Sequence, residues 1–450
     1  IPYPYHDGFL LMIPGDGSYT VFQMSDGQAI TMINDTGQDY LTVTGTRKAR
    51  EVFRATTIGL QTVILNVDKV VAMEAAVSAG TLTGTAQTLQ DNALDSAAPG
   101  SIYRILGDET NPYDTYYAKK ESGQWVEWIK PGIEFELDVA TMPHVLKLTI
   151  DPLDNLEADA EFIPADWEDR LIGDEKSNKN PSFVGRRIGG LFFAHDRLGL
   201  LSENSVCMSE TGRYFNFYRQ TVTDVLDTDR IDISGSSDGS SYLWHAKPLG
   251  KNTILFSGER NFSLDGTPIM SPRTVSVTQA TAYPSSRDVA PVSSGPNIYF
   301  AASTGGSTSI REMFVQDDAV TNDAADITAH VPTYLPSGMG LLATNNDTDT
   351  LLIGQRNQSA VYCYNSFWSG DEKVQSAWGT WVLPNQVRIY SLFSVGQYIY
   401  CIFSGRTSDT GSSTRTDHVM LGRWSMRPTV ANTNLGGTLG FTPHLDAMYP

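Results

Sequence analysis

The residues whose types could do chemistry are a few carboxylates, an acidic run and one His-Asp-Arg sequence. Glu203, Glu210 and Glu259 each fall in turn-rich sequence between short apolar runs. A glycosidase needs two carboxyls flanking one scissile bond, and the sequence pairs no two of these. The run Asp224, Asp227, Asp229, Asp232 and Asp238 has the density of a calcium loop. An EF-hand needs Gly at its sixth place and Glu at its twelfth; counted from Asp227, those places hold Asp232 and Asp238, so the match fails. A solvated acidic loop is the expectation.

His195-Asp196-Arg197 has the composition of part of a triad, but no GxSxG turn supplies a strained nucleophile. His195 is expected to hydrogen-bond locally at a strand end, and Arg197 to pair with an acidic neighbour. No GxxxxGK[ST] and no GxGxxG after a strand is present, which removes the case for nucleotide hydrolysis. Trp125 and Trp128 flank a hairpin and are read as packing residues, the rival use being a stack on a sugar or base. Basic and aromatic residues do not interleave as single-strand binding requires. Cys207, Cys363 and Cys401 sit singly in apolar runs with no CxxC or Cys/His cluster, so buried reduced thiols are expected rather than a disulfide framework or zinc site. No catalytic, cofactor-binding or metal-binding residue is assigned, and contact is the expected work of this chain.

The elements that must position these residues are short strands. With 39 Gly, 22 Pro, 20 Tyr and 18 Phe in 450 residues, turns and aromatic strands dominate the composition. Phe9–Ile13 stops at Pro14-Gly15-Asp16-Gly17, Tyr19–Met24 at Ser25-Asp26-Gly27, and Ala29–Ile33 at Asn34-Asp35-Thr36-Gly37. Asp-Gly after a β-forming run is a hairpin signal because both residues tolerate positive φ. Further hairpins are expected for Phe53–Gly59 with Thr62–Asn66, Tyr116–Lys120 with Trp125–Trp128, and Thr253–Gly258 with Asn261–Gly266. The same theme pairs Asn297–Ala302 with Ser309–Phe314, Thr350–Gly354 with Ala360–Tyr364, and Ile389–Ser394 with Tyr398–Phe403. The class is mainly β: a propeller-like platform built of hairpins, with a small inserted α/β module. A long β-sandwich is the alternative that periodicity leaves open. Residues 1–74 read as hairpins of the platform, 75–160 as the module with one short helix over Thr85–Ser96, 161–290 as the platform core, and 291–450 as further blades or a nozzle region.

The formal net charge is −19. Such a surface repels phosphate and argues against a protein that grips DNA, though not against one that DNA passes; acidity also keeps a large β protein soluble. No apolar run has the length of a membrane span, and no basic-then-apolar leader precedes the first strands. The chain opens on Ile1 rather than Met and is expected to be part of a longer polypeptide.

One stretch carries a resemblance. Trp167, Arg170, Gly173-Asp174, Asn180-Pro181-Ser182-Phe183-Val184-Gly185 and Arg197-Leu198-Gly199-Leu200-Leu201-Ser202-Glu203-Asn204 come in order. Met208-Ser209, Gly212-Arg213-Tyr214-Phe215-Asn216-Phe217, Val225-Leu226-Asp227-Thr228-Asp229 and Ile231-Asp232 follow. With Phe53–Thr57, Trp125-Val126-Glu127 and Thr141-Met142-Pro143-His144, this series resembles the tail tubular protein B family, the tail nozzle proteins of T7-like short-tailed bacteriophages. The likeness covers roughly 50–265 and thins beyond about 300. Arg230 departs from it, standing where the family leads one to expect proline. The resemblance implies a structural virion protein of the distal tail, assembled in the host cytoplasm as a homo-hexamer. It implies contact with the tail adaptor (tail tubular protein A), the tail fibres and the host cell envelope. Double-stranded DNA would pass through the channel without specific binding. Tyr214, Phe215, Phe217, Asp227, Asp229 and Asp232 are the candidate subunit or adaptor contacts, the alternation of the aromatics being read first as one buried strand face. The alternative is a carbohydrate-binding or carbohydrate-cleaving β-propeller of a virion or secreted protein.

Overall fold

A computed structural model of the chain describes residues 8–24, 27–76, 79–108, 110–111, 114–150, 158–235, 241–314, 323–369, 372–384, 387–407 and 416–425. Asp238 and the expected turn residues Ser25 and Asp26 lie outside them. The chain divides into two compact units, one comprising Ile1–Arg287 and Val315–Asp323, the other Asp288–Phe314 and Ala324–Pro450.

In the first unit, a five-stranded sheet has the order Thr31–Asp35, Ala158–Pro164, His144–Ile150, Gln61–Asn66, Phe53–Ile58. Only its first pair is parallel. Alternation along the strands splits the sheet between two cores. Val63, Leu65 and Val145 point to one core with Trp167, Leu198 and Phe217. Ile64, Leu146 and Phe162 point to the other, under the hairpin of Phe9–Met12 and Thr20–Gln23.

Two four-stranded antiparallel sheets follow in chain order. Blade A is Gly190–Ala194, Arg197–Ser202, Ser205–Met208 and Ile231–Ser234; blade B is Leu243–Leu249, Asn252–Ser257, Asn261–Gly266 and Val275–Thr281. Their faces close on one another through Phe192, Leu201, Val206, Leu243, Leu255 and Leu264. A strand covered on both faces loses the polar alternation, and every residue of Arg197–Ser202 is buried. The sheets come so near that a Cβ on Gly190 would stand 2.4 Å from the Trp244 carbonyl oxygen, so only glycine fits there.

The second unit repeats the theme. Blade C (Val292–Ser294, Asn297–Thr304, Ser307–Phe314, Asp323–Asp326) stacks on blade D (Leu341–Asn345, Thr350–Gly354, Ala360–Ser369, Glu372–Val382) through Tyr299, Ile310, Leu351 and Ile353. Blade D stacks on the three-stranded blade E (Arg388–Val395, Tyr398–Thr407, Thr416–Ser425) through Leu352, Val361, Ile389 and Ile399. Consecutive antiparallel sheets stacked face to face make the chain mainly β and propeller-like.

The inserted module has its own four-stranded sheet of Leu82–Ala86, Ile102–Ile105, Tyr116–Glu121 and Gln124–Trp128. Its last hairpin turns on Ser122 and Gly123, both at positive φ (48° and 84°), as a two-residue turn of that twist requires. Three details differ from the sequence expectation. The helix placed over Thr85–Ser96 is only Asn92–Asp95, because Leu82–Ala86 pairs in parallel with Ile102–Ile105. The run after Gly27 forms no full hairpin with its predecessor, meeting it at the single Phe22–Ala29 bridge, and Thr31–Asp35 pairs with Ala158–Pro164 instead. Finally, His144–Ile150 and Ala158–Pro164 belong to the five-stranded sheet rather than to the module's.

Candidate docking platform

The long connection between the last two strands of blade A, residues 209–230, carries all but one of the six candidate contact residues. It contains turns and bends but no strand, so its main-chain groups need partners that no ladder supplies. Arg197 provides them. From the fully buried second strand of blade A its guanidinium donates to the carbonyls of Ser209 (2.7 Å), Asp229 (2.7 Å), Asp227 (2.9 Å) and Thr228 (3.2 Å). The expected pairing of Arg197 with an acidic side chain is corrected: its two terminal nitrogens donate to backbone oxygens, which a planar guanidinium can bridge.

Asp229 closes the same loop from within. Its carboxylate is 1 % exposed and accepts from the Leu226 N–H at 2.8 Å and the Gln220 N–H at 3.4 Å, with Arg219 at 3.5 Å. Asn216 accepts from the Tyr218 N–H at 2.9 Å and donates to Glu210 at 2.6 Å. Arg230, the departure from proline, donates to the carbonyls of Lys179 (2.7 Å) and Phe217 (2.9 Å), ties that a proline side chain lacks.

The neighbouring stretch 165–187 is fastened similarly. Arg170, 1 % exposed, donates to the carbonyls of Asn178 and Glu134. Asn178 reaches the Ile172 carbonyl at 3.2 Å and accepts from the Arg219 N–H at 3.1 Å. Trp167 donates its indole N–H to Pro143 at 3.1 Å and meets Phe215 edge-on at 5.1 Å. The module is tied in by Glu127, which accepts from the Val222 N–H.

The six residues therefore separate. Phe217 is fully buried against Phe183 and Trp167, and Asp229 serves its own loop, so both side chains work inside this chain. Asp227 and Asp232 are exposed, Asp232 accepting from the Ser182 N–H at 2.9 Å. Tyr214 and Phe215 are half-buried; Tyr214 stands edge-on to Phe193 at 5.3 Å and donates to Asp196 at 2.8 Å. That hydrogen bond to a carboxylate holds the Tyr214 phenol above its ordinary pKa.

The residues singled out for chemistry have structural partners. Glu203 pairs with Arg186 at 2.8 Å, Glu210 is held by Asn216 and Arg213, and Glu259 is an exposed turn residue. His195 sits at positive φ in the turn into Arg197 and bonds the Thr253 hydroxyl of blade B at 3.3 Å. Burial pulls its pKa down, with Arg197 adding to the effect. Trp128 lies under the Lys119 ammonium at 3.7 Å, and Trp125 packs edge-on to Tyr103. Among the described residues no group of three or more His, Cys, Asp or Glu is placed to hold a metal ion. Sequence reasoning missed Glu127, Asn178, Asn216 and Arg219 as organisers. Their only signal was polar residues inside an aromatic loop, which does not reveal which carbonyl each one faces.

Fold and loops together define a propeller-like β scaffold with one long loop clamped through its backbone carbonyls. The chain belongs to the bacteriophage nozzle protein family, whose profile matches residues 81–420. It is 28 % identical over 311 residues to the tail tubular protein gp12 of Escherichia phage T7. That alignment takes in 68 % of this chain and 38 % of the relative, so the chain spans well under half of that protein's length. Among solved structures, the Cps50 (Swd1) β-propeller domain of Myceliophteria thermophila aligns at 10 % identity over 53 % of this chain and 74 % of that one, with TM-score 0.32. Hsv2 of Kluyveromyces lactis aligns at 8 % identity over 84 % and 97 %, with TM-score 0.34. Likenesses at those scores add nothing to the assignment. The family places the chain among the structural proteins of phage tails.

Proposed function

We propose that this chain is part of the distal nozzle of a short phage tail, in a homo-hexameric ring below the adaptor. The ring closes before infection and opens at the host cell envelope to conduct double-stranded DNA, with tail fibres docking beside it. The observation that carries this reading is the family match across residues 81–420, laid on a series of stacked antiparallel sheets. The charge of −19 supports it physically. Every Lys or Arg contact to phosphate would hold transiting DNA, whereas an acidic lumen lets it slide. Tyr214, Phe215, Asp227 and Asp232 are the surface through which a neighbouring subunit or the adaptor is contacted, and Phe217 and Asp229 shape that surface from inside. Native mass measurement of the chain alone and with its adaptor tests the reading. A six-fold assembly that captures the adaptor is expected; a stable monomer that ignores the adaptor overturns it.

A further inference from the structure

Blades C and D share a polar cluster around one buried carboxylate, apart from the loop of residues 209–230. Glu312, on the third strand of blade C, is 3 % exposed. One of its oxygens accepts from the Asn297 carboxamide at 2.9 Å and from the Tyr299 hydroxyl at 2.6 Å. The other accepts from the Lys373 ammonium, carried on the last strand of blade D. Lys373 also reaches the Tyr364 hydroxyl at 3.4 Å, and Tyr364 packs against Trp378 at 5.0 Å. An amine, a carboxamide and a carboxylate thus meet in an aromatic surround, with the one carboxylate touching both of the others.

That arrangement can form an amide. We propose that Lys373 and Asn297 are joined by an autocatalytic isopeptide bond, with Glu312 as the proton-transfer residue. The reaction begins with transfer of a proton from Lys373 Nζ to the Glu312 oxygen that accepts its hydrogen bond, which leaves a neutral amine. The Nζ lone pair attacks Asn297 Cγ. A half-turn of the carboxamide presents Oδ1 to the protonated Glu312 and to the Tyr299 hydroxyl, which stabilise the developing oxyanion. A proton from the attacking nitrogen then passes through Glu312 to the departing nitrogen. The Cγ–Nδ2 bond breaks, ammonia leaves neutral, Glu312 keeps the remaining proton, and a secondary amide remains. No oxidant or cofactor is required. Proximity supplies the rate, since the groups are already held on one carboxylate. The product ties Asn297–Thr304 of blade C to Glu372–Val382 of blade D covalently and replaces the Lys373–Glu312 charge pair with neutral groups.

Intact mass and tryptic mapping of the purified chain test this directly. The expected chain is lighter by one ammonia than its sequence, is not cut by trypsin after Lys373, and yields a branched peptide containing both residues. Lys373→Arg keeps a cation for Glu312 and Asn297→Ala removes the electrophile; both variants are expected at full sequence mass with linear peptides. A wild-type chain at full mass, cleaved after Lys373, overturns the proposal whatever the variants do.

Discussion

The Glu127 carboxylate of the inserted module accepts a hydrogen bond from the main-chain N–H of Val222, in the loop of residues 209–230, at 2.8 Å. Its other oxygen accepts from the hydroxyls of Thr221 at 2.6 Å and Thr223 at 3.2 Å. One side chain therefore closes three donors across two parts of the fold. Glu127→Ala is expected to cost about 1–3 kcal/mol, the range for unmaking hydrogen bonds to a charged acceptor. The check is a lowered urea midpoint together with faster amide exchange at 221–223. Unchanged exchange there would show that the module does not hold the loop.

Arg197 makes a sharper case, because its four acceptors are main-chain carbonyls and two of those contacts are fully buried. Arg197→Ala leaves several of them unpaired and should destabilise the first unit by more than about 3 kcal/mol. Arg197→Lys keeps the charge but lacks the planar fork, so it should recover less than half of the loss. Equilibrium unfolding of the two variants measures this. A lysine variant as stable as wild type would show that charge alone suffices.

Much of this fold was legible because hairpins are local. Tyr116–Glu121 with Gln124–Trp128, or Thr350–Gly354 with Ala360–Ser369, needs only two β-forming runs and a turn between them. Thr31–Asp35 went astray for the opposite reason: its partner Ala158–Pro164 lies far along the chain and runs parallel, and no turn residue announces such a pairing. The candidate site was half legible. Aromatic residues marked the loop of residues 209–230, but its conformation is fixed by side-chain bonds to backbone. Nothing in the order Asp227-Thr228-Asp229 says that the first carboxylate faces water and the other is sealed under Arg219.

The thiols give a prediction independent of assembly. Cys207, Cys363 and Cys401 are buried and unpaired, and burial pushes Cys363 and Cys401 up to about 12 and Cys207 well above its ordinary value. The reactive thiolate is therefore scarce near neutral pH. An aromatic disulfide reagent should label no cysteine in the native chain within minutes and all three after unfolding. Prompt native labelling would place a thiol at the surface.

His144 makes the first unit sensitive to acid. The imidazole is 3 % exposed, stacks on Tyr40 at 4.2 Å and bonds the Met142 carbonyl at 2.9 Å. Burial lowers its pKa from 6.5 to about 4, against the opposing effect of the Met142 bond. The folded value lies below the unfolded one, so the unfolded chain binds the proton more readily. Stability is thus complete above about pH 6.5 and falls as the pH drops toward 4, because stability rises with pH wherever the unfolded state holds more protons. The shift corresponds to a loss on the order of 3 kcal/mol once both states are protonated. His144→Phe keeps a ring against Tyr40 and Phe162 but cannot titrate. Its unfolding free energy should therefore decline less steeply between pH 6.5 and 4 than that of wild type, by that amount across the window. Parallel slopes for the two proteins would assign the acid sensitivity to other groups.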